Sequence, residues 1–413
     1  MRDVIVIGAG LSGLMSALVL AEAGYRPLVL ARGYGRTHWL GGTIDVLPQA
    51  DLRQGLIRVI EEQAQHPYAR IGLSDMEAAL KRFRSLMVAA RYPYVGGLER
   101  NVWLPTALGA LRPTALLPAT MAAGDMRLGG ELLIAGFHEL RDFFPRLIAA
   151  NLQAQGVDAR GLYLTLPHGR RRREYTPRTF AELFEQRDFR EDVGRQLGYA
   201  RGMATRIGLP AVLGLEAPLQ VVQDLQQLSG AQVFEIPTLP PSIPGMRLVS
   251  IFERAITAAG GRMQIGSAVV RAEHGGDRLD ALYSEAAARE QRHEARGFVL
   301  ATGGIAGGGI QTDYQGGVWD TALGLRLQSP AGRAEWFQSG FLQELGHPIF
   351  EAGITTNARF QPINCMGEVI FANVVVAGSA LAGRDGQQQR NSSGLALCSG
   401  WYAAHGLSGM LAA

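Results

Sequence analysis

Blocks of apolar and polar residues along the chain change period, and each period names an element. Val4-Ile5-Val6-Ile7 is an unbroken apolar run, the pattern of a strand buried on both faces of a parallel sheet. Gly8-Ala9-Gly10-Leu11-Ser12-Gly13 follows it. Leu14–Ala23 reads as helix with Gly24 as its stop, and Pro27–Leu30 as a second buried strand. From about residue 51 the texture changes. His66, before Pro67-Tyr68, reads as a helix stop, and Glu77–Ala90 as an amphipathic helix. Glu131–Ala135, His138–Gln153 and Val157–Leu164 read as strand, helix and strand. A charged helix is predicted over Thr179–Arg195, and strands over Ala211–Leu213 and Gln232–Ile236 with a helix across Pro218–Leu228 between them. Pro237, Pro240, Pro241 and Pro244 then break the pattern and read as a crossover. Beyond it come a helix over Met246–Ala258 and strands at Met263–Ile265, Val269–Ala272 and Arg296–Ala301. An irregular stretch runs from Gly309 to Pro362. Val374–Ala377 is a last strand, leading through a glycine-rich turn to a helix over Leu395–Ala404.

Composition narrows the class. The chain has 413 residues, 53 of them glycine, against a usual glycine share of about 7%. It is 47% hydrophobic and 19% charged, which excludes a disordered polyelectrolyte. The glycines have no three-residue period, so collagen is excluded too. Two cysteines, Cys365 and Cys398, cannot hold an iron–sulfur cluster by themselves, and their default reading is buried, inert thiol. The net charge of +3 gives no reason to expect a nucleic-acid partner. Lys81 is the single lysine, so a fixed cation that grips an anion here is expected to be a guanidinium. The run Arg170–Arg173 reads as a solvated loop. Apolar runs such as Leu132–Ala135 fall far short of the roughly 18 residues of a membrane span. A cytoplasmic protein is expected, peripheral on the inner membrane only through a partner.

Gly8-x-Gly10-x-x-Gly13 lies between a buried strand and a helix, the context that a dinucleotide fingerprint requires. Gly8 permits the tight turn, Gly10 lets the backbone approach a pyrophosphate, and Gly13 lets helix and strand pack closely. The acidic residue that would hold an adenosine ribose is replaced by Ala31-Arg32, so FMN and FAD both stay open, with Arg32 a candidate phosphate contact. Three further glycine sites favour flavin over nicotinamide. Gly41-Gly42-Thr43 follows the second strand. Ala301-Thr302-Gly303-Gly304 resembles the ATG motif of fumarate-reductase and glutathione-reductase type flavoproteins. Asn373 to Gly378-Ser379 resembles their last strand and turn, after which Gly394 and Leu395 open a helix whose positive end is a candidate neighbour of the flavin. His38 is a candidate proton acceptor, and Arg247 and Arg384 are candidate grips for a substrate phosphate.

Several of these segments occur in one order: the fingerprint, Thr37-His38 ahead of Gly42-Thr43-Ile44-Asp45, His66-Pro67-Tyr68, Gly136-Phe137, and the run from Ile236 through the prolines to Leu248. In that order the chain resembles the B subunits of anaerobic glycerol-3-phosphate dehydrogenases, from Val4 to about Ala404. The resemblance implies a flavoprotein subunit, commonly assigned FMN, of a heteromeric membrane-associated complex. That complex has an FAD-containing A subunit and an iron–sulfur C subunit. It oxidises sn-glycerol 3-phosphate, a small phosphorylated alcohol, to dihydroxyacetone phosphate and passes electrons to quinone. Residues 385–393 depart from the family's glycine-rich turn.

The expected fold is α/β: a discontinuous Rossmann-like flavin-binding domain (1–50, 245–310 and 365–413) with an inserted α/β cap domain (51–244 and 311–364). Two other functions stay open on the sequence. One is a non-catalytic electron-transfer or structural flavin subunit. The other is a stand-alone flavin oxidoreductase of the fumarate-reductase kind.

Overall fold

Arg2–Ile7 sits inside a parallel sheet, flanked by Pro27–Ala31 on one side and Gln291–Leu300 on the other. This is a computed structural model, and it describes residues 2–167, 175–287, 289–340, 346–384 and 392–412. The run Arg170–Arg173 and most of the divergent turn, 385–391, lie outside the described residues. Arg262–Ile265 extends the sheet beyond Pro27–Ala31, and Val374–Val376 extends it beyond Gln291–Leu300, both in parallel. Ile5 therefore pairs with Leu28 and Phe298, and Leu300 with Val376. Buried on both faces, Val4, Ile5 and Val6 need no polar alternation, which is why the run is continuous.

Gln291–Leu300 does two jobs. Its last residues pair in parallel, while Gln291–Glu294 pair antiparallel with Ala281–Ser284 of the strand Arg278–Ser284, which in turn pairs with Val269–Gly275. A second, wholly parallel sheet holds Leu132–Phe137, Ala159–Leu164, Arg206–Pro210 and Gln232–Ile236, with Leu132–Phe137 between Ala159–Leu164 and Arg206–Pro210. It has its own core, built on Phe137, Phe180, Phe184, Phe189 and Phe234. The helices Leu52–Glu62 and Pro67–Ala89 bury Leu56, Phe83 and Met87 in the core of the first sheet.

Several boundaries differ from the sequence reading. His66 starts a helix and does not end one: its Nδ1 accepts the Tyr68 N–H at 3.0 Å, and Pro67 at the first helical position has no N–H to leave unpaired. That helix is interrupted at Gly72, whose φ of 74° is non-helical. The helix expected from His138 begins only at Pro145, because Leu140 and Phe143 turn into the core first. The charged helix is two, Pro177–Phe184 and Arg187–Ala200. The strand expected at Ala211–Leu213 is Arg206–Pro210; the buried Arg206 guanidinium donates to the carbonyls of Ala123, Asp125 and Gly129. Within the stretch read as irregular, Ile310–Thr312 and Val318–Asp320 form a small hairpin.

The C-terminal helix Ser392–Ala412 returns to the first one, Leu11–Glu22. A Cβ on Gly400 would lie 2.4 Å from the Ser12 carbonyl oxygen, and Ser16 Oγ donates to the Gly400 carbonyl at 2.9 Å. This contact carries the last strand and turn onto the fingerprint.

Candidate functional site

The C-terminal ends of the parallel strands open onto one cavity of about 330 Å3. Its wall follows the strand order: Ala268-Val269, then Ala31 to Gly33, then Gly8 to Ser12, then Ala301 to Gly304, then Ser379. This is where open α/β sheets bind ligands.

The glycine fingerprint divides into three physical roles. Gly8 has φ 113° and a Cβ there would sit 2.3 Å from the Ala301 carbonyl oxygen, so this turn requires glycine. A Cβ on Gly13 would lie 2.0 Å from the Gly8 carbonyl oxygen. Gly10 is different: nothing of the protein lies within 4 Å of its would-be Cβ, which would project into open space. Gly10 is the N-cap of Leu11–Glu22 and offers no capping side chain, so the first N–H groups of that helix are left for a ligand anion.

The cavity fits a flavin nucleotide on two counts. Thr302 Oγ1, which lines it, is buried without a hydrogen-bond partner. Among the described lining residues there is no carboxylate to repel a phosphate. Arg32 stands exposed at the rim beside Gly33. Gly303 and Ser379 line the wall as well.

Other sequence candidates have structural positions. A Cβ on Gly378 would lie 2.4 Å from Ser12 Oγ, so its role is close packing beneath the fingerprint helix. Gly394 abuts the Asp45 carbonyl and donates to it at 2.9 Å, while Leu395 is fully buried core; the cavity face of that helix is Ser392, Ser393 and Ala396. Gly41 packs on Pro237 and Gly42 on Pro244, Tyr94 Oη donates to the Gly42 carbonyl at 2.6 Å, and Thr43 Oγ1 donates to Asp45 at 3.1 Å. This segment clasps the proline crossover and does not line the cavity.

His38 is likewise outside the lining. It stacks on Tyr34 and faces a separate cleft of about 260 Å3 shared with Tyr92, Arg178 and Arg254. Burial holds its imidazole below the ordinary value. Arg247 lines the same cleft, but its donors are taken up by internal partners. It is buried and paired with Glu235, and it donates to the Gly214 carbonyl at 2.8 Å and to Tyr92 Oη at 3.1 Å. Burial opposes its charge, but Glu235 and Tyr92 outweigh that and hold the guanidinium above its ordinary value.

Arg384 is where a ligand would meet it. It is buried, donates from Nη2 to Ser379 Oγ at 2.8 Å, and lines a small recess that shares Gly304 and Ser379 with the cavity. Arg36 lines both spaces and was missed in the sequence. The available signal was Gly35. Its φ is 64°, and a Cβ there would lie 3.0 Å from Gly10 Cα, so the loop folds back over the fingerprint and carries Arg36 with it. Asp320 was also missed. Its buried carboxylate accepts the N–H groups of Ala322 at 2.9 Å and Leu325 at 3.0 Å, shaping the loop that brings Thr321 and Ala322 to the cavity. Cys365 is exposed, contrary to the expectation of two buried thiols; Cys398 is buried.

The family described as "FAD binding domain" matches residues 3–395. The probable B subunit of the anaerobic glycerol-3-phosphate dehydrogenase of Halobacterium salinarum is 30% identical over 97% of this chain and 96% of its own length. The chain belongs to this family of B subunits. The corresponding B subunit of the anaerobic glycerol-3-phosphate dehydrogenase of Pectobacterium carotovorum is also 30% identical, over 97% of both chains. The family assignment makes the chain a flavoprotein of the flavin oxidoreductase class, in accord with the cavity. Among solved structures, 3-ketosteroid delta1-dehydrogenase from Sterolibacterium denitrificans is 10% identical over 99% of both chains, with a TM-score of 0.46. The FrdA chain of E. coli quinol fumarate reductase is 9% identical, over 100% of this chain and 70% of that one, also with a TM-score of 0.46. Among the described residues, no helix is long and apolar enough to cross a membrane.

Proposed function

We propose that this B-family flavoprotein oxidises sn-glycerol 3-phosphate to dihydroxyacetone phosphate as one member of a heteromeric dehydrogenase. The observation that carries the reading is the cavity with its orphaned Thr302 hydroxyl, opening beside an arginine-lined recess. A bound flavin supplies the two-electron acceptor for a secondary alcohol. The chain's own residues bind and orient. Gly10 and the uncapped start of Leu11–Glu22 take the nucleotide's phosphate, and Thr302 Oγ1 gains a partner. Arginine receives the substrate's anionic end, and the cavity wall limits water.

We favour FAD over FMN. The wall continues past the fingerprint to Arg32 and to apolar Ala268 and Val269, which is space for an adenosine that a mononucleotide would leave unfilled. We further read the second parallel sheet with its helices as a covering unit, and residues 52–89 as part of the flavin-binding core in which they are packed. Electrons then leave through partner subunits, an FAD-bearing A subunit and an iron–sulfur C subunit, toward quinone, with membrane contact made by a partner.

Anaerobic mixing of the flavin-loaded chain with glycerol 3-phosphate tests this reading. Bleaching of the flavin absorbance is expected with glycerol 3-phosphate and not with glycerol. Bleaching that needs the added partner proteins would make this chain a relay; no bleaching by glycerol 3-phosphate, with reoxidation of the chemically reduced flavin by fumarate, would make it another kind of reductase. Either result overturns the reading.

A further inference from the structure

We propose that Arg36 and Arg384 together clamp the substrate's phosphate in the recess beside the flavin cavity. The proposal rests on the glycerol-3-phosphate reading and deepens it, by naming the groups that make the phosphate the recognised end of the molecule. The recess measures about 40 Å3. A single water needs only about 10–15 Å3 by the same kind of measure, so the space suits one phosphoryl-sized group.

The described lining contains two guanidiniums and no carboxylate, against apolar walls of Ile305, Phe350 and Leu381. A dianion meeting two arginines there is neutralised by charge-assisted hydrogen bonds in a setting of low dielectric.

Both arginines are placed by the fold. Arg384 is held by the Ser379 hydroxyl, shortly after the last parallel strand. Arg36 is carried in by Gly35, which lies against Gly10. Among the described residues the Arg36 side chain makes no hydrogen bond or ion pair, so its donors are free for a ligand. Arg247, the other arginine that the sequence offered, is already spent on Glu235. The recess joins the cavity along Gly304 and Ser379, so a substrate anchored there points its carbinol carbon toward the flavin side.

Calorimetric titration of the flavin-loaded full chain tests the clamp, with glycerol 3-phosphate, inorganic phosphate, glycerol and malonate as probes. R36Q and R384Q are each expected to weaken glycerol 3-phosphate and phosphate by at least about tenfold, the loss typical of one charged hydrogen bond. Apoprotein stability should stay at the wild-type level in R36Q, which breaks no internal contact, and R36K should recover part of the affinity. Unchanged affinities in both variants, beside normal bleaching by glycerol 3-phosphate, would overturn the clamp and leave the dehydrogenase reading standing. Failure of the wild type to bind any of the anions would also overturn the clamp. Binding of malonate but neither phosphate, lost in both variants, would overturn the phosphate assignment and the substrate reading together.

Discussion

Glu235 and Arg247 meet in two contacts of 2.8 and 2.9 Å, both side chains essentially excluded from solvent. Glu235 belongs to the last strand of the second sheet, and Arg247 to the helix Ile243–Ala258 that packs in the first core. The pair therefore rivets the two cores at the proline crossover. Thr120 Oγ1 and the Leu213 N–H complete the carboxylate's bonding at 2.7 and 3.1 Å. Glu235→Gln leaves a buried guanidinium without its counter-ion and should cost about 3–5 kcal/mol. Urea unfolding of the variant measures this; a loss under about 1 kcal/mol would contradict the rivet.

The two fingerprint glycines Gly10 and Gly13 should separate binding from folding. Gly10 has φ −74°, which any residue adopts, and its Cβ would meet no protein atom. Gly10→Ala is expected to leave apoprotein stability within about 0.5 kcal/mol and to sharply lower flavin content. Gly13→Ala forces a methyl onto the Gly8 carbonyl and should destabilise the apoprotein by about 1–3 kcal/mol or more. Melting curves and flavin absorbance on the same preparations give both numbers.

Thr302→Val removes a hydroxyl that has no partner in the protein. Stability of the apoprotein should hold or rise slightly, while flavin affinity falls about three- to tenfold, the net worth of one hydrogen bond. Quenching of flavin fluorescence on titration reads the affinity.

His38 lies outside the flavin cavity, so His38→Ala should slow flavin reduction by less than tenfold, well short of the roughly hundredfold loss of a missing general base. Its folded pKa is depressed by burial. Its contribution to stability is therefore present above the unfolded value of about 6.5 and is lost as pH falls through the folded value. An NMR titration of its ring protons should show a midpoint below 6.5.

The thiols should behave oppositely. Burial pushes Cys398 up to about 12, keeping it protonated and out of reach, whereas Cys365 is exposed. A thiol reagent should modify one equivalent in the native protein and two after unfolding, and Cys365→Ser should abolish the native reaction.

Local features follow from residue order alone. Buried strands announce themselves as apolar runs, and the turn after Arg2–Ile7 needs its glycines whatever the rest of the chain does, so the Rossmann-like core, the fingerprint and the family order were legible from residue types and spacing. Which side chains share a space follows from packing between distant segments. Arg36, Arg247 and Arg384 look alike in a chain with 39 arginines to one lysine. A buried carboxylate on a strand twelve positions before Arg247 takes it out of service, while a glycine pressed on the fingerprint brings Arg36 to the cavity. His38 and Gly41 sit next to cavity-lining Thr37 and Leu40, yet His38 turns to the separate cleft and Gly41 packs on Pro237 of the crossover. Direction in space is set by long-range packing that spacing along the chain does not encode, because the partners lie up to hundreds of residues away.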